Sequence, residues 1–144
     1  MINISLDAMG GDYAPESIVE GAILASSLGV NLTLFGNEDE VNRVLDGRDF
    51  SNIKIQHTEE KVDMGDKVAS VLRKIPETSL GLAARSASEG DSDGVISAGH
   101  SGASVLVASK YLKRKGVRKP VLGTFMPTSD NPVFLLDVGA NVDT

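Results

Sequence analysis

Three short stretches of this 144-residue sequence set glycine beside residues that can hold protons or anions. They are Asp7-Ala8-Met9-Gly10-Gly11-Asp12, Ser97-Ala98-Gly99-His100-Ser101-Gly102 and Asp137-Val138-Gly139-Ala140-Asn141. Glycine lets a backbone approach an anion closely, and the free amides at a helix start can bind phosphate. In the second stretch Gly99 and Gly102 remove bulk and Ser101 offers a hydroxyl. His100 offers a donor to phosphate or to a developing oxyanion. A plainer reading stands beside this one: a tight strand-to-helix turn with Ser101 as an ordinary helix cap. Asp7 and Asp12 bracket Gly10-Gly11. Either carboxylate can hold a cation or orient a loop amide, but neither suits a phosphate dianion without a cation or proton between them. Asp12 can equally cap the helix that begins near Pro15. Asp137 and Asn141 read either as a second polar wall or as turn formers.

Other chemistries lack their residues. There is no Cys, which removes disulfides, thiolate metal sites and a Cys nucleophile. The two histidines, His57 and His100, are far apart in sequence, no H-E-x-x-H spacing occurs, and no metal site is expected. His57 reads as an ordinary strand-end residue. The Gly-x-Gly-x-x-Gly fingerprint fails at Gly10-Gly11-Asp12-Tyr13-Ala14, and no Walker lysine or Gly-x-Ser-x-Gly elbow appears. The N-terminus does not read as a secretory signal, and no apolar run is long enough to span a bilayer. With 14 Lys and Arg against 20 Asp and Glu the net charge is −6, which disfavours non-specific nucleic-acid binding. Lys110 to Lys119 nevertheless holds six of the basic residues. It reads either as cations complementing a helix C-terminus or as a docking patch for an acidic partner.

The elements that must position these stretches alternate. Strands are expected at Ile2–Leu6, Val30–Phe35, Ile53–Gln56, Val95–Ile96, Val121–Phe125 and Val133–Leu136. Helices are expected from Pro15 to Leu28, from Asn37 to Leu45, from Asp66 to Lys74, over Leu80–Glu89 with Ser79 as cap, and over Ala103–Lys115. Strands alternating with helices point to βαβ units and a parallel sheet covered on both faces, an α/β fold. In such sheets ligands bind at the carboxyl ends of the strands, where the three stretches fall. The chain ends without a helix to cover its last strand, so a continuation beyond Thr144 is expected.

At these stretches the sequence resembles a known family. Leu6-Asp7-Ala8-Met9-Gly10-Gly11-Asp12-Tyr13-Ala14-Pro15, Val95-Ile96-Ser97-Ala98-Gly99-His100-Ser101-Gly102-Ala103 and Leu135-Leu136-Asp137-Val138-Gly139-Ala140-Asn141-Val142-Asp143 resemble, in order, three motifs of the bacterial phosphate acyltransferases of phospholipid synthesis. The resemblance implies a three-layer α/β/α fold with a mostly parallel Rossmann-like sheet, similar to phosphate acetyltransferases and isocitrate-dehydrogenase-like enzymes. It makes residues 1–144 the N-terminal portion of a longer enzyme. The implied activity moves an acyl group from acyl-acyl-carrier-protein to inorganic phosphate, without a cofactor, in a cytoplasmic homodimer that associates at most peripherally with the membrane.

Carried onto this chain, the resemblance makes Asp7, His100, Ser101 and Asn141 candidate catalytic residues. It assigns Gly10, Gly11, Gly99, His100, Ser101 and Lys74 to phosphate, and Asp12 and Asp137 to loop orientation. Lys113, Arg114 and Lys115 become candidate contacts for an acidic carrier protein. Two departures stand out. The second motif usually has Asn then Thr where this chain has His100 and Ser101. The Arg73-Lys74 pair is followed by Ile75-Pro76-Glu77-Thr78-Ser79 rather than an Asp-Ser-Ser-like segment. Two other functions remain open: a phosphate acetyl- or butyryltransferase using coenzyme A, and a truncated homologue that binds a ligand or partner without catalysis.

Overall fold

A computed structural model describes residues 1–138. Its elements are β1 (Asn3–Asp7), α1 (Glu16–Ser26), β2 (Asn31–Gly36), α2 (Glu38–Leu45), β3 (Ile53–His57) and α3 (Val68–Lys74). A 3-10 turn (Ile75–Glu77) leads into α4 (Ser79–Glu89) and β4 (Gly94–Ile96). Then come α5 (Ser101–Val107), β5 (Gly123–Met126) and β6 (Val133–Leu136). The first four strands form one parallel sheet in the order β3-β2-β1-β4.

The two-residue period of β1 divides the sheet faces. Leu6 points into a core with Val19 and Ala22 of α1, Leu32 and Leu34 of β2, and Val41 and Leu45 of α2. Ser5 and Asp7 point the other way, toward α4. A second core on that side joins Val71, Ile75, Leu80, Ala84, Ala103 and Val107 from α3, α4, α5 and the turn between them. Helices on both faces of a parallel sheet make the three-layer α/β/α arrangement expected from the sequence.

Local chemistry sets the helix ends. Asn37 caps α2 by accepting from Glu40 N at 2.9 Å, the interaction its spacing predicts. At α4 the cap is Thr78, whose hydroxyl accepts from Gly81 N at 3.1 Å. Ser79, the expected cap, is the first helical residue. The helix expected over Ala103–Lys115 starts at Ser101 and ends in a π turn, Ala108–Leu112, because Lys113 is already extended at φ −67° and ψ 123°.

The last two strands depart from the parallel pattern. β5 and β6 pair antiparallel in their own two-stranded sheet. Residues 127–132 are too few for a parallel crossover, which needs a dozen or so. They carry turn chemistry instead: Pro127, Asp130, Asn131 and Pro132, with Thr128 Oγ1 donating to Asn131 O at 2.6 Å. Phe125 and Phe134 stack across the hairpin with ring centroids 4.8 Å apart, and every residue of both strands is exposed.

Candidate functional site

β1 and β4 are hydrogen-bonded neighbours with Leu6 opposite Ile96, so the turns after them leave the sheet side by side. Glycine decides how closely they approach. A methyl group added to Gly99 would stand 3.2 Å from Gly10 Cα, and one added to Gly10 would run into the Asp7 carboxylate. Gly11 has φ +114°, a conformation L side chains rarely adopt, and faces Ala98 O.

Beneath this contact lies Asp7, only 3% exposed. Ser79 Oγ donates to its Oδ1 at 2.6 Å and Ser97 Oγ to its Oδ2 at 2.7 Å. Met9 N makes a longer bond to Oδ1, 3.3 Å. Ser97 Oγ in turn accepts from Gly99 N at 3.1 Å. One carboxylate therefore ties the β1 turn, the β4 turn and the start of α4 together. Burial holds its pKa above the ordinary carboxylate value, against the opposing pull of the Ser79, Ser97 and Met9 bonds.

His100 is the N-cap of α5. Its Nδ1 accepts from Gly102 N at 3.0 Å and Ala103 N at 3.4 Å, which leaves the ring proton on Nε2. Two of the helix-start amides expected to face an anion are thus occupied by the imidazole. Among the described residues, the amides of Gly11, His100 and Ser101 have no protein acceptor. Ser101 is exposed beside them, and Asp12 is exposed beyond Gly11, its carboxylate making no hydrogen bond among the described residues. Ser97 also lines an apolar cleft of about 210 Å³ with Leu80, Ala84, Val95, Val107 and Leu112.

Lys74 ends α3 and is paired with Asp66, Nζ to Oδ2 at 2.7 Å. That bond raises the lysine's pKa and lowers the aspartate's. The charge of the ammonium is thus already engaged by Asp66. Lys113, Arg114 and Lys115 are exposed and follow the π turn rather than closing a helix.

Of the three glycine turns expected at the strand ends, the first two meet. Asp137 follows β6 of the other sheet, at φ +59°, with its amide donating to Leu122 O at 2.6 Å. Gly139 and Asn141 lie outside the described residues. Sequence reasoning missed Ser79 as a partner of Asp7. The available signal is spacing: Ser79 and Ser86 lie two turns apart on one face of α4, matching Asp7 and Ser5 on one face of β1, and Ser5 Oγ donates to Ser86 Oγ at 3.1 Å. Among the described residues no helix is long and apolar enough to cross a membrane.

The sequence model of a family described as "Fatty acid synthesis protein" matches residues 2–144. A phosphate acyltransferase of Lawsonia intracellularis is 41% identical over 146 residues, covering 99% of this chain and 42% of that protein. Proteins of the same name from Desulforamulus reducens and Dictyoglomus turgidum are 42% and 38% identical over 146 and 147 residues. Each alignment covers 99% of this chain and 44% of the relative. The chain therefore spans less than half the length of these relatives. With motif order, fold and a match over nearly every residue in agreement, the chain belongs to the fatty acid synthesis protein family.

Proposed function

We propose that the protein carrying this chain transfers a fatty acyl group from the thioester of an acyl carrier protein to inorganic phosphate. The observation that carries this reading is the contact of the Gly10 and Gly99 turns above the buried Asp7. It brings the two turns and their backbone amides close together, and the relatives' name, phosphate acyltransferase, supports the reaction class. In this reading phosphate sits against the amides of Gly10, Gly11, His100 and Ser101, with the Ser101 hydroxyl and the His100 Nε2 proton as further donors. A phosphate oxygen attacks the thioester carbon, the new O–C bond forms, and the C–S bond breaks. The proton of hydrogenphosphate ends on the departing thiol. Rate comes from orientation and from donors placed at the tetrahedral oxyanion, so no enzyme nucleophile is required. Asp7 holds the turns rather than touching the substrate. The apolar cleft beside Ser97 gives the acyl chain a dry wall.

The decisive assay incubates the complete gene product with acyl-carrier-protein and phosphate, traps acyl phosphate with hydroxylamine, and repeats the reaction with acyl-coenzyme A. Phosphate-dependent product from the carrier protein is expected. No phosphate-dependent product removes the reading, and a preference for coenzyme A transfers it to the related acetyl- or butyryltransferase chemistry. Ser101→Ala should raise the phosphate KM, and an unchanged KM and rate would exclude Ser101 as a ligand. Lys74 is tested through its partner. If Lys74 serves phosphate, Asp66→Asn frees it and lowers the phosphate KM, whereas Lys74→Ala raises it.

A further inference from the structure

We propose that Ser79 is a positioning residue for the phosphate side of the site, holding the Asp7 carboxylate so that the two glycine turns stay in contact with their amides turned outward. The proposal rests on the phosphate-transfer reading above. Ser79 is 1% exposed, and its hydroxyl is the shortest donor to Asp7, at 2.6 Å. Helix α4 does not need that hydroxyl, because Thr78 supplies the cap. What the hydroxyl does is satisfy Oδ1, where the other donor among the described residues is Met9 N at 3.3 Å, while Ser97 satisfies Oδ2.

Remove it, and a buried carboxylate is left short of a donor, which is costly in a low-dielectric site. The nearest remedy is local. The Gly10 turn lies against the carboxylate, so Asp7 would draw turn amides inward and compete with phosphate for the same donors. Ser79 thus acts on the substrate through Asp7, from a position 72 residues away in sequence.

Ser86 is the natural control. It makes a neutral hydrogen bond to Ser5 across the same α4–β1 interface, two helical turns from the glycine contact. In the complete gene product, Ser79→Ala should lower kcat/KM for phosphate by about tenfold or more, the scale of a lost hydrogen bond to a charged group. The loss should fall mainly on the phosphate KM, with the KM for the acyl donor unchanged. Ser86→Ala should stay within about twofold of the parent. Ser79→Cys, similar in size but a weaker donor, should fall between the parent and the alanine variant, and it carries the test if Ser79→Ala does not accumulate as folded protein. An active parent with an unchanged Ser79 variant overturns this proposal alone, as does an equal loss in Ser86→Ala. A parent that forms no acyl phosphate overturns the transfer reading and this proposal with it.

Discussion

At position 7 a carboxylate has been taken out of water and given hydroxyl donors instead. Desolvation outweighs those bonds, so Asp7 binds its proton more tightly folded than unfolded. The sign follows from that order. The proton-linked stability is fully present below the unfolded value of 3.8 and is lost as pH rises through the higher folded pKa. Asp7→Asn removes the titration. Urea midpoints of the parent and Asp7→Asn, compared from about pH 3 to 7, should therefore show the parent's relative stability declining as pH rises. A difference that is flat or grows with pH contradicts the assignment. Asp7 was legible in the sequence as part of a Gly-flanked turn after a strand. Its partners were not, because Ser79 becomes a neighbour only when α4 packs on β1.

Among the elements, α5 depends on an imidazole where a shorter polar side chain more often serves. His100 caps through Nδ1, and Asn, the residue the resemblance leads one to expect there, is among the preferred caps. His100→Ala should cost about 1 kcal/mol in urea unfolding, and His100→Asn should restore most of it. An unchanged midpoint in His100→Ala would show that the cap contributes nothing. In the sheet, Leu34 of β2 is fully buried against α1 and α2. Leu34→Ala should destabilise by about 2–5 kcal/mol, read as a shift of the urea midpoint, because both the transfer energy and a residual cavity count against it. These elements were readable in advance from alternation, capping spacing and glycine stops. The hairpin departs from the parallel order of the other strands, because the connection between its two strands is too short for a crossover.

Across the whole molecule the charge is −6, yet the exposed segment after the π turn is basic. If Lys113, Arg114 and Lys115 dock an acidic carrier, changing all three to Glu should slow transfer from carrier-borne acyl groups more than from a small acyl thioester. The difference should shrink as salt rises. Equal slowing of both donors removes the docking role. Composition, glycine placement and strand–helix alternation were enough to establish a parallel α/β fold with glycine-bearing turns at the strand ends, because those features depend on near neighbours in the chain. Only the tertiary structure decided that β1 and β4 are adjacent, that Gly10 meets Gly99, and that Ser79 and Ser97 share one buried carboxylate. Those contacts join residues 72 to 90 positions apart, and no local periodicity encodes which distant hydroxyl will satisfy a buried charge.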